Sequence, residues 1–88
     1  MKPPQGHTEI RKDDFLIMEN RLLLRGAEAI WDLIQEQGVS RAELARRLNR
    51  TPSRITQILS GEHNMRLRTL ADVGYVLDHE FLITPKPL

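Results

Sequence analysis

Residues 40–61 read SRAELARRLNRTPSRITQILSG, and their punctuation decides the fold. Ser40 is a good N-cap, and Glu43 three residues later completes a capping box that predicts two backbone N–H groups satisfied at a helix start. Leu44, Ala45 and Leu48 share one face of that helix, which leaves Arg41, Arg46 and Arg47 on or near its rim. Asn49 falls where the helix must stop, and Asn tolerates the left-handed backbone of a tight turn. Thr51-Pro52 restarts the chain, because Thr caps and Pro at the first helical position loses no hydrogen bond. Ile55, Ile58 and Leu59 make the buried side of a second helix, and Gly61 ends it. The expectation is two short amphipathic helices joined by a tight turn, the second an exposed rod over Thr51–Ser60.

Outward from this stretch, the chain reads as one all-α domain. Eighty-eight residues suffice for one modest core. Leu23, Ala27, Ile30 and Ile34 recur at helical spacing, with Asp13-Asp14 at the start of the pattern and Gly38 at its end. Asn20 and Gly26 leave open whether that is one long helix or two. Phe15, Met18, Leu22 and Trp31 lie partly off the stripe. Either the N-terminal turns fold back over the bundle, or they form an apolar patch that meets a second copy. After Gly61, Leu67, Leu70, Val73, Gly74 and Leu77 predict a closing helix, with Thr69 and Asp72 as an alternative capping box for its start. The tail HEFLITPKPL holds β-branched and aromatic residues and two prolines, so residues 79–88 are expected to be an extended tail, within which FLIT (81–84) can form a short strand paired with a second protomer. Residues 1–12 are polar and read as a flexible arm whose Lys2, Arg11 and Lys12 can reach phosphate. Residues 13–78 are the domain.

Charge adds a second line of argument. The net charge is only +1, but Ser40 to Arg68 holds seven arginines against two glutamates, a surplus of five. The remaining residues hold six basic and ten acidic groups, a deficit of four. A basic face on an acidic body is the footprint of a duplex-binding module. There is no cysteine, which fits a reducing cytoplasm. No apolar run approaches the roughly 20 residues that cross a bilayer, and the N-terminus lacks the apolar centre of a signal peptide. His7, His63 and His79 have no metal-binding spacing, the serines have no His-carboxylate arrangement, and there is no phosphate-binding glycine loop. The chain is therefore read as no enzyme, with no cofactor and no metal.

Residues 40–61 resemble the helix-turn-helix of the xenobiotic-response-element (XRE) family, the Cro and lambda-repressor type of DNA-binding domain. Ala45 matches the small residue over which the second helix crosses, Ile55 the aliphatic residue ten positions on, and Ile58 the next buried position. Asn49 departs from the glycine usual in that turn. The likeness runs from the helix before Gly38 to the segment TLADVGYVL, about two-thirds of the chain. It implies a compact bundle of about five helices, and base readers at Pro52, Ser53 and Gln57. Arg54 joins them by helical geometry, with phosphate as its other use. Arg can grip guanine and Gln adenine bidentately, and Pro52 can touch a thymine methyl. Arg41, Arg50 and Arg66 resemble the family's backbone-gripping positions, and Thr51, Ser60, Asn64 and Arg68 are grouped with them as phosphate contacts.

The function implied is a cytoplasmic, nucleoid-associated regulator of transcription. It would bind a specific double-stranded operator as a homodimer and repress by occupancy. In a straight dimer two reader helices enter successive major grooves about 34 Å apart, so a palindromic operator is expected. The alternatives are an antitoxin that autorepresses its operon while the N-terminal arm or the tail holds a toxin, and a protein-interaction bundle without DNA binding.

Overall fold

Four α-helices order the chain in the computed structural model, which describes residues 12–61 and 64–88. They are α1 (Lys12–Gln37), α2 (Arg41–Leu48), α3 (Pro52–Ser60) and α4 (Leu67–Val76). Among the described residues there is no strand, so the fold is all-α, with four helices where about five were expected. Residues 1–11, most of the expected N-terminal arm, lie outside the described residues. Lys12, counted with that arm, begins α1.

The single-helix alternative holds for α1, which runs unbroken through Asn20 and Gly26 for 26 residues. At a rise of about 1.5 Å per residue that is a rod of roughly 39 Å, and it accounts for the long 47 Å dimension of the molecule. Only its second half is packed. Ala27, Ile30, Leu33 and Ile34 are buried, whereas every residue from Asp13 to Leu22 is exposed. The N-terminal turns therefore do not fold back over the bundle: Phe15 is 63% exposed and Leu22 69%. Gly38, at φ +68°, turns the chain out of the helix, and the Val39 N–H closes it by donating to the Ile34 carbonyl at 2.9 Å.

The core joins Ile30, Leu33 and Ile34 of α1 with Leu44 and Ala45 of α2, Ile55 and Ile58 of α3, and Val73 and Leu77 at the end of the chain's last helix. α3 packs on both α1 and α2, and α2 packs on α4. Leu67 is a correction to the apolar stripe read for α4. It opens the helix but is exposed, and the buried face begins with half-buried Leu70. The capping box at Thr69 and Asp72 is not used either, because the helix starts three residues earlier, with Arg66 at its N-cap and no side-chain cap.

Residues 79–88 form the extended tail, without a strand. Their first turn is anchored. The His79 N–H donates to the Gly74 carbonyl at 2.8 Å, and Phe81 packs against the core. The Gln37 amide donates to the Leu77 carbonyl at 2.9 Å, and Nδ1 of His79 lies 2.7 Å from the same oxygen, so that ring nitrogen carries the proton. The first bond ties the end of α1 to the turn after α4, and the second closes that turn on itself. Beyond Phe81, Leu82, Ile83 and Leu88 are exposed.

Candidate nucleic-acid interface

The α2–turn–α3 unit is held by its caps. The Glu43 N–H donates to Ser40 Oγ at 3.1 Å, and the Arg54 N–H donates to Thr51 Oγ1 at 3.2 Å. Between them Asn49 sits at φ 55°, ψ 47°, and the Arg50 N–H reaches back to the Ala45 carbonyl at 2.9 Å. Gly61 ends α3 at φ +68°. A Cβ there would lie 3.5 Å from Ala27 and from the Leu24 backbone, so the end of α3 comes close to α1. Only half of the capping box expected at Ser40 is made. Glu43 turns its carboxylate onward, to Arg46 through both oxygens and to Arg47 Nε at 3.0 Å, rather than back to the Ser40 N–H.

α3 buries Ile55 and Ile58 and half-buries Leu59. The opposite side carries Ser53, Thr56, Gln57 and Ser60, all exposed, with Pro52 exposed at the first turn. Arg54 is half-buried on one shoulder, its Nη1 3.4 Å from the Gln57 side-chain oxygen. Thr56 and Ser60 donate to the carbonyls of Pro52 and Gln57, at 3.2 and 2.8 Å. Of the four residues expected to read bases, Pro52, Ser53 and Gln57 thus share the open side, and Arg54 stands between that side and the flank.

The expected phosphate contacts divide between the two flanks of α3. A hollow of about 800 Å³ between α2, α3 and α4 is lined by Arg47, Arg50, Arg54, Asn64, Arg66 and Arg68, with Asp72 as its acid and Tyr75 on its rim. Arg50, Asn64, Arg66 and Arg68 are exposed there. On the other flank a groove of about 420 Å³ runs between α1 and α3, lined by Leu24, Trp31, Arg41, Thr56, Leu59 and Ser60 among others. Arg41 lies 5.3 Å above the Trp31 ring. Thr51 is spent chiefly on capping α3.

Five arginines line the hollow beside one carboxylate, and four of them, Arg50, Arg54, Arg66 and Arg68, make it positive, since Arg47 is paired with Glu43. Arg46 and Arg47 hold the Glu43 carboxyl well below its ordinary value, at about 2, so Glu43 is ionised and its charge is used locally. Arg47 also donates to the Val76 carbonyl at 3.3 Å, linking α2 to the end of α4. Of the arginines read as rim residues, these two are therefore engaged within the fold, and Arg41 stands apart.

Reading the residues in order did not reveal Trp31 beneath Arg41, or Tyr75 and Thr69 in the hollow. Each comes from a helix whose periodicity reports its own core face and says nothing about its neighbour's flank. Among the described residues no group of three or more His, Asp or Glu side chains could hold a metal, and no helix is long and apolar enough to cross a membrane. Comparison with protein-family models, curated proteins and solved structures finds no match.

Proposed function

We propose that the chain is a transcription regulator that reads double-stranded DNA with α3, a repressor acting as a homodimer on a palindromic operator, built on the lambda-repressor-like plan. The observation that carries this reading is an α3 with hydrogen-bonding side chains on its open side and guanidinium groups along its flanks. A helix of this kind fits the major groove, where Ser53 and Gln57 would meet base edges while the flanks grip the two phosphate strands. Arg50, Arg66 and Arg68 would hold one strand, and Arg41 with Ser60 the other. Arg54, on the shoulder, serves a guanine or a phosphate according to the site.

The test is selection of bound sites from random duplexes, followed by titration of the selected site against salt. Four arginine contacts per protomer (Arg41, Arg50, Arg66 and Arg68) predict a log–log slope of roughly −3 to −4 for each half-site. Inverted half-sites about one helical turn apart are the expected yield. No salt-dependent affinity for any duplex would leave a protein-interaction bundle and end this reading.

A second reading, an autorepressing antitoxin, is favoured by one observation. Leu82, Ile83 and Leu88 are exposed on an extended tail, a form in which a protein partner can take up a segment. Co-purification of a small basic toxin encoded beside it, lost on removal of residues 82–88, is the expected result for that reading.

A further inference from the structure

The first half of α1 is the part of the molecule that its own fold leaves uncovered. Its sequence repeats at seven residues: Phe15-Leu16-Ile17, then Leu22-Leu23-Leu24, then Ala29-Ile30-Trp31. The third trio is seated on the bundle, with Ile30 fully buried, and the first has the same chemistry and no cover. Ten successive helical residues, Asp13–Leu22, are exposed. Most helical stability in proteins comes from packing of an apolar face, which this half of α1 lacks within its own chain. Large side chains present on the order of 200 Å² each when fully exposed. Phe15, Met18 and Leu22 share one face of the arm and at their observed exposures offer on the order of 350 Å², the apolar seam of a contact whose flanks must supply the rest of the roughly 800 Å² per partner of a standard interface.

Charge identifies the occupant. Asp13 and Asp14 lie at the start of the arm, Glu19 at its middle, and Arg21 and Arg25 toward its end. A second copy laid parallel would oppose acid to acid and base to base. Laid antiparallel, it opposes acid to base at both ends, which is the self-complementarity a two-fold interface requires. Asp14 and Arg25 are eleven residues apart, three helical turns, and so lie on one flank of the arm, where each can meet the other's counterpart. We infer that the arm of α1, Asp13 to Arg25, is a self-association helix that pairs antiparallel with the same arm of a second copy. An antiparallel pair centred near Glu19 and Asn20 holds the two Ile30 positions roughly 30 Å apart at a rise of about 1.5 Å per residue. That separation is near the roughly 34 Å between successive major grooves. The pairing rests on the arm alone, and only its use to span two half-sites rests on the duplex-binding reading.

The experiment is sedimentation equilibrium of the full chain, with variants checked by circular dichroism for an intact helical fold. The wild type is expected to be a dimer at micromolar concentration, and Leu22→Glu a monomer, its dimer about tenfold or more weaker. Asp14→Arg and Arg25→Asp alone should each weaken the dimer about tenfold at low salt, and the two combined in one chain should restore it. In a parallel pair none of these reversals changes the balance of like charges. A monomeric wild type, an undiminished Leu22→Glu dimer, or a charge cycle without restoration overturns the pairing. Duplex titration of the same samples separates the two readings: a dimer that ignores DNA sinks the duplex-binding function and keeps the arm, and a monomer that binds DNA sinks the arm, and the homodimer with it, but keeps duplex binding.

Discussion

The Arg41 guanidinium lies 5.3 Å above the centre of the Trp31 ring, and this contact joins the first residue of α2 to the side of α1. Trp31 is 38% exposed, so its ring is at once an edge of the core and a platform. A cation over an exposed indole gains about 0.5–1 kcal/mol, enough to bias a flexible side chain without fixing it. The stack holds Arg41 beside Thr56 and Ser60, on the flank of α3 away from the arginine hollow.

Removing that platform should loosen the grip on one phosphate strand. Trp31→Ala is expected to weaken duplex binding about twofold to fivefold, in line with the stack it loses. Arg41→Ala should reduce the salt slope by about one phosphate contact. Titrations at several salt concentrations check both, and an unchanged slope in Arg41→Ala would remove Arg41 from the interface.

Arg50 and Gln57 separate positioning from reading. Arg50→Ala should weaken specific and random duplex about equally, since phosphates carry no sequence. Gln57→Ala should cost about 1–3 kcal/mol on the selected site and relax one base position. Measured across a panel of operator variants, indistinguishable behaviour of the two mutants would overturn the division of roles.

Ala45 is 2% exposed in the core where α2 packs on α3. A larger side chain must push the helices apart or take a strained rotamer, at about 1–3 kcal/mol. Ala45→Leu should therefore lower the denaturant midpoint and reduce duplex affinity together, because α3 is displaced from its flanking arginines. Loss of stability with unchanged affinity would contradict the coupling.

At Gly74 a Cβ would lie 2.6 Å from the His79 carbonyl oxygen and 3.3 Å from the Phe81 ring. The obstacle is backbone, so the turn after α4 must open to admit it. Gly74→Ala is expected to cost about 1–3 kcal/mol and to release Phe81. Thermal unfolding gives the first, and faster amide exchange at His79 the second.

Glu43 sets an acid limit. Its carboxyl is held at about 2 by hydrogen bonds to Arg46 and Arg47, against an ordinary value of 4.5. A carboxyl whose folded value lies below its unfolded value stabilises the fold in its ionised form. That contribution is complete above about 4.5 and is lost as the pH falls toward 2. The melting temperatures of the wild type and Glu43→Gln should differ at pH 6 and converge near pH 2. A gap as large at pH 2 as at pH 6 would mean the pair contributes nothing through its charge.

What the residues in order determined was local. Caps, a left-handed turn and an apolar period act within a few positions, so Ser40, Asn49, Thr51, Pro52 and Gly61 state where α2 and α3 begin and end, and Ile30, Ile34, Ile55 and Ile58 state which sides are buried. The same periodicity put Ser53 and Gln57 on the open side of α3. Even here competition intervened, since the Glu43 carboxylate could turn back to a backbone N–H or forward to two guanidinium groups, and two charged partners prevailed over one neutral donor.

Only the tertiary structure decided what lies across a gap between helices. Leu16 and Leu23 are the same residue on the same side of α1, seven positions apart, yet one is exposed and the other half-buried, because the bundle ends between them. Arg66 and Arg68 come to share a hollow with Arg50 and Arg54, and Trp31 comes to lie under Arg41, through crossing geometry that no run of neighbouring residues encodes. Hydrophobic attraction has no direction, so a pattern of apolar residues demands cover without saying what supplies it. Packing volume and chain connectivity settle that, and along the arm of α1 they leave the demand unmet within a single chain.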